Sequence, residues 1–148
     1  MHDPLTGYVR VKAICLFLHN GRVLAIDSFD PTKGQRFWVP VGGRVEFGET
    51  AREAIIREVR EELRVEIIDL TQLGVVENLF TFDGEPGHEI VFVYDARFID
   101  PQMYGAEEIQ GLENGEEFTA RWIDPYAPDG DRPLYPEGLP DLISREDP

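Results

Sequence analysis

Apolar and β-branched residues dominate positions 8–18, and a second apolar run follows at 22–26 after His19-Asn20-Gly21. Asn-Gly tolerates positive φ at both residues, so the pattern predicts a strand, a tight turn and a returning strand. Ser28 to Gln35 is polar and reads as a loop. Phe37 to Val41 is a short apolar run containing Pro40. Proline donates nothing to a ladder, so this run reads as an edge or terminal strand. Residues 49–63 are the only segment with strong helical periodicity: Ile55, Val59 and Leu63 recur at i, i+4 and i+8, with Glu49 or Thr50 at the start. Leu73–Phe82 and Glu89–Phe98 read as strands joined by the turn chemistry of Asp83-Gly84-Glu85-Pro86-Gly87. Residues 103–113 fit a short helix or a loop, and Thr119–Ile123 a late strand. Beyond Asp124 the chain is rich in Pro and Gly. There Pro133–Pro136 and Leu139–Ile143 read as a closing segment, with the last few residues frayed. Strands, one strong helix and more strands predict an α+β fold or a mixed sheet.

A chain of 148 residues, 42% hydrophobic, suits one domain over residues 1–148. The net charge of −15 argues against nucleic acid as a partner, since duplex binding rests on basic patches. It leaves a nucleotide substrate open, because a divalent metal reverses the local sign. No run approaches 18 apolar residues, so no membrane span is expected. Met1-His2-Asp3-Pro4 lacks the basic and apolar regions of a signal peptide. The single cysteine, Cys15, cannot form an internal disulfide and reads as a small core residue, with a catalytic thiol as the alternative. These features together predict a soluble cytoplasmic protein.

On the helix at 49–63, Glu58, Glu61 and Glu62 fall on one stripe beside the apolar one. Three carboxylates within a turn repel each other, and no lysine alternates with them. A solvated acidic face is one reading. A site for a hard cation such as Mg²⁺, which takes oxygen ligands, is the other. The segment upstream favours the second. Gly42-Gly43 lets the backbone approach a ligand closely, Gly48 adds another flexible point, and Glu49 and Arg57 can pair to tie loop to helix.

The stretch from Gly43 to Val65 resembles the Nudix box, G-x5-E-x7-R-E-U-x-E-E-x-G-U, where U is a bulky aliphatic residue. Gly43, Glu49, Arg57, Glu58, Val59, Glu61, Glu62 and Val65 match. Arg64 replaces the second glycine, which ordinarily ends the helix in a left-handed conformation. Val41 separates Pro40 from the two glycines, where many family members have none. The resemblance implies a mixed β-sheet sandwiched by helices, with the main catalytic helix at about 49–63. It also implies hydrolysis of a nucleoside diphosphate linked to another group, at a P–O–P bridge.

By that resemblance Glu58, Glu61, Glu62 and the Gly43 carbonyl hold Mg²⁺, with Mn²⁺ as a substitute. Arg57 orients a glutamate and holds Glu49, and Glu58 or Glu61 serves as general base. An outer acidic ligand precedes a late-strand Trp in some members, which points to Glu117, with Glu116 next and Glu107, Glu108 and Glu89 behind. Arg44, beside the glycines, is the candidate phosphate contact. His88 reads as a hydrogen-bonded strand-end histidine. Phe29, Phe37, Trp38, Phe47, Phe80 and Phe82 are the aromatic faces available to a base. The expected partner is a small nucleotide, with no nucleic acid and no membrane, and a homodimer is common in the family. Two alternatives stay open: a nucleotide-binding module without turnover, and a prenyl-diphosphate isomerase, which would need an active-site cysteine.

Overall fold

The computed structural model describes residues 7–128 and 132–146, with the side chains of 144–146 left aside. The readings made for Met1–Pro4 and for the last few residues fall wholly or partly outside that range. The elements run β1 (Val9–Cys15), β2 (Val23–Asp30), β3 (Gln35–Arg44), α1 (Ala51–Leu63), β4 (Ile67–Phe82) and β5 (Glu85–Phe98). They continue with α2 (Gln102–Gly105), β6 (Glu108–Glu113), β7 (Glu116–Ile123) and α3 (Leu139–Glu146). Among the described residues no helix is long and apolar enough to cross a membrane.

Seven strands form one mixed sheet in the order β4-β5-β1-β3-β2-β7-β6. Only β1 and β5 run parallel; the other neighbouring pairs are antiparallel. Both faces of β1 are covered. Ala13 and Cys15 join the core under α1, while Ile14 and Leu16 join the core under α3. Burial on both faces explains why residues 13–18 read as an unbroken apolar run rather than an alternating one. Cys15 is fully buried, and burial pushes its thiol well above the usual range, as suits a core residue.

Several local expectations change. The stretch 28–35 is not a loop, because β2 and β3 extend into it and leave a turn of four residues. Asp30 secures that turn. Its buried carboxylate accepts the Thr32 and Lys33 amides at 3.0 and 3.2 Å, and the Asp83 amide of the next hairpin at 3.2 Å. Nor is the Pro40 segment an edge strand, since β3 lies between β1 and β2. β3 pairs with β2 through Pro40 and with β1 from Val41 onward, so proline falls at the seam between two ladders. Residues 103–113 divide into the short α2 and the strand β6.

Thr50 caps α1: its hydroxyl accepts the Glu53 amide at 3.1 Å, and the Glu53 carboxylate accepts the Thr50 amide at 3.0 Å. At the other end Arg64 takes the left-handed conformation, φ 57° and ψ 39°, and its amide closes on the Arg60 carbonyl at 3.0 Å. The helix therefore ends as a glycine would end it, with a side chain in a conformation that disfavours one. Arg64→Gly is expected to raise the unfolding free energy by about 0.5–1 kcal/mol in urea titration. An unchanged or lower value would contradict this.

Candidate active site

Three elements converge at the C-terminal end of β3. Glu58 on α1 lies directly over Gly43, and a Cβ at Gly43 would come within 2.6 Å of both Glu58 carboxylate oxygens. A side chain at position 43 would displace the Glu58 carboxylate from this position. The same closeness recurs at Gly111 on β6, where a Cβ would meet the Glu62 carbonyl at 2.7 Å. The β6–β7 hairpin thus packs against the end of α1.

Arg57 organises the carboxylates. Its Nε and Nη2 donate to the two oxygens of Glu49 at 2.7 and 2.9 Å, a bidentate pair. Nη1 donates to Glu58 at 2.9 Å and to Glu61 at 3.3 Å. Nη2 also donates to the Arg44 carbonyl at 3.0 Å. Glu49 in turn accepts the Glu46 amide at 3.0 Å, which fixes the loop. The Arg57 guanidinium holds the Glu49 carboxyl down at about 2. Burial pushes Glu58 the other way, against the pull of Arg57.

Glu62 stands apart. It is 3% exposed, and neither carboxylate oxygen has a hydrogen-bond partner among the described residues. Burial, then the Glu113 carboxyl beside it, pushes its pKa up to about 10. Two ionised carboxylates have no proton to share, so ionised Glu62 and Glu113 repel each other. A buried carboxylate with no donor is costly unless a proton neutralises it or a cation meets it.

Glu113 was not identified from the sequence. It pairs with Glu116 across a two-residue turn in which Asn114 and Gly115 both have positive φ. Alternation from Ile109 through Gly111 puts Glu113 on the α1 face. The Asn-Gly signal that marks residues 20–21 was present here too and would have found the pair. Glu117, expected as an outer ligand, pairs with Leu112 and turns to the opposite face; Glu116 shares the face of Glu113. Glu108 is engaged by Arg121, and Glu89, on the far face with Val91, lies 3.9 Å from Lys12. Arg44 pairs in register with Lys12, so its side chain leaves the sheet on the face away from Gly43 while its carbonyl holds Arg57. His88 lies in β5, 3.3 Å from Glu77.

The donor set suits a hard cation. Glu58, Glu61, Glu62 and Glu113 offer only oxygen, and Glu62 offers two oxygens with no competing donor. Among the described residues no group of three or more acidic, His or Cys side chains is already placed so that it could hold a metal ion.

The sequence profile of the NUDIX domain matches residues 9–141. The chain belongs to the Nudix family. The uncharacterized Nudix hydrolase YvcI of Bacillus subtilis is 30% identical over 109 residues, 74% of this chain and 64% of that protein. A Nudix hydrolase of Deinococcus radiodurans is 44% identical over 69 residues, 44% of this chain and 40% of that one. The matches thus span less than two thirds of either relative's length. Among solved structures, a MutT NUDIX hydrolase from Burkholderia pseudomallei superposes with a TM-score of 0.65 at 26% identity, covering 93% of this chain and 97% of that one. A NUDIX hydrolase from Nitrosomonas europaea shares the fold at 17% identity, covering 94% and 88%, with a TM-score of 0.61. The Nudix box is therefore set in a Nudix sheet, with α1 carrying its glutamates.

The Glu49–Arg57 pair predicts an acid response. Its folded pKa lies below the unfolded value near 4.5, so its stabilisation is complete above pH 4.5 and lost as pH falls toward 2. Arg57→Met should therefore flatten the loss of stability across that window, measured by urea unfolding at stepped pH. Parallel slopes in wild type and variant would contradict the pairing.

Proposed function

We propose that this Nudix domain is a Mg²⁺-dependent hydrolase acting on the P–O–P bridge of a small nucleoside di- or triphosphate derivative in the cytoplasm. The observation that carries the reading is Glu62: a buried carboxylate without a donor, set between Glu58 and Glu113 on the helix of a Nudix box. Glu58, Glu61, Glu62, Glu113 and the Gly43 carbonyl would hold the cation, and Mn²⁺ would substitute. When bound, a divalent cation screens phosphate charge, acidifies water and steadies the leaving oxygen.

The rest falls to the side chains. Arg57 keeps Glu58 and Glu61 turned to one side through its hydrogen bonds to both. Glu49 acts through Arg57 and positions it. Burial raises the proton affinity of Glu58, which suits a base that takes the proton of an attacking water. Glu61 is the other candidate, more open to solvent at 61% side-chain exposure. Arg44, the phosphate contact expected from the sequence, leaves the sheet on the face away from Gly43, and the part it plays here is through its carbonyl, which accepts from Arg57. The chain's negative charge favours substrate that arrives with its own cation.

Hydrolysis in ¹⁸O-labelled water, with Mg²⁺ and a panel of nucleoside di- and triphosphate derivatives, should place label on one phosphate product. Label on a sugar carbon, or turnover of a phosphomonoester with no bridge, would contradict the reading. The hairpin register adds a sharper contrast: Glu113→Gln should lower kcat about 10–100-fold, while Glu117→Gln, facing away, should leave it within about twofold of wild type. The reverse order would remove Glu113 from the site.

A further inference from the structure

On the sheet face opposite α1, Trp38, Arg121 and Ile123 border an open cleft of about 410 Å³, with Arg22, Trp122 and Arg132 around it. It is separate from the acidic cluster. Trp38 pairs with Asp27 and lies five residues before Gly43 on β3, roughly 17 Å along an extended strand. In a chain of net charge −15 this cleft gathers three guanidinium groups.

Their engagement differs. Arg121 is held by Glu108, and Arg132 lies 3.7 Å from an Asp27 that Arg36 also holds. Arg22 is exposed at the turn, bonds to His19 through its backbone, and has no ion pair for its guanidinium among the described residues. The one carboxylate lining the cleft, Asp124, accepts the Tyr126 amide at 2.9 Å. A guanidinium fork matches the paired oxygens of a phosphate, and three forks around one cleft favour a dianion.

The aromatic lining adds a second recognition element. Arg132 stacks over the Trp38 ring at 5.5 Å from its centroid. The Trp38 Nε1–H is buried and has no acceptor among the described residues. A buried indole N–H without an acceptor is unfavourable. A shift of Arg132 toward a bound anion would uncover it for an acceptor oxygen. Trp122 also borders the cleft, but its indole turns toward the α1 side, stacked on Tyr104 at 5.7 Å with Nε1 donating to the Met103 carbonyl at 3.2 Å, so Trp38 is the aromatic group on the cleft's own face.

We propose that this cleft is a second ligand site, for the dianionic phosphate group of orthophosphate or of a nucleoside monophosphate. It uses Arg22, Arg121 and Arg132 and requires no divalent cation. The site stands independently of the hydrolysis proposed above, although both ligands are of the kind that cleavage of a nucleoside diphosphate derivative releases.

The chain has two tryptophans; Trp38 lies under Arg132 at the cleft and Trp122 borders it with its indole turned to the other face, so a ligand-dependent change in intrinsic emission reports chiefly through Trp38. The full chain is titrated in EDTA with orthophosphate and, separately, with AMP, each against KCl of equal ionic strength. A saturable change from either ligand, absent with KCl, is expected. A response to both marks the phosphate as sufficient, and a response to AMP alone marks the base as a required second contact. Arg22→Gln and Arg132→Gln should each weaken the response at least about tenfold, while Arg22→Lys, which keeps the charge and loses the fork, should fall between. Glu58→Gln should respond as wild type. Far-UV circular dichroism checks that each variant folds, and the exposed Arg22 pair of variants keeps the test available if Arg132→Gln does not. No saturable change, a change that KCl reproduces, or a response lost in Glu58→Gln and kept in the arginine variants would overturn the proposal.

Discussion

One guanidinium holds the site together. Arg57 carries five N–H donors, and each meets an acceptor: two on Glu49, one each on Glu58 and Glu61, and the carbonyl of Arg44. Through these bonds the loop after β3, the start of α1 and the exit of β3 become one rigid corner. The carboxylates it holds would otherwise repel each other across a single helical turn. Arg57 offsets that repulsion for Glu49, Glu58 and Glu61. It does not reach Glu62, which is left buried with no donor. The acidic cluster is thus divided into a part satisfied by the protein and a part, Glu62, that the proposed cation would satisfy.

The fold supplies what a lone helix cannot. β3 changes partners at Pro40, from β2 to β1, and delivers Gly43 beneath Glu58. The β6–β7 hairpin brings Glu113 to Glu62 from an element some fifty residues later in the chain. Close packing at Gly43 and Gly111 lets three elements meet within the span of two carboxylates. Both glycines are used for the space they leave, not for unusual backbone angles.

The helix, its row of carboxylates and the family were legible in the sequence because periodicity and motif agree over residues 43–65. Ile55 and Val59 are buried and Leu63 nearly so, as the stripe predicted. The sandwich was expected from the family resemblance alone; the unbroken apolar run at 13–18, read as a strand, carries its physical cause, since its residues alternate between two cores. Pro40 misled because the absence of an amide argues against a central strand only where the ladder needs that amide. The Asn114-Gly115 turn gives the Glu113–Glu116 pair, but nothing local says which face of that hairpin meets α1, some fifty residues earlier. A one-residue shift there exchanges Glu113 and Glu116 for Leu112 and Glu117. Polar residues 28–35 looked like a loop because the carboxylate that closes the turn, Asp30, is itself buried. In each case the missing information lay in a partner distant in sequence.

If Glu62, left unpaired by Arg57, completes a site for a divalent cation, removing its charge weakens that site. Isothermal titration calorimetry with Mg²⁺, on wild type and on Glu62→Gln, tests it most directly. Wild type should bind saturably, and the variant, which keeps its shape and loses one charge, should bind at least about tenfold more weakly. Equal affinity in the two proteins, or no binding to wild type, would contradict the account.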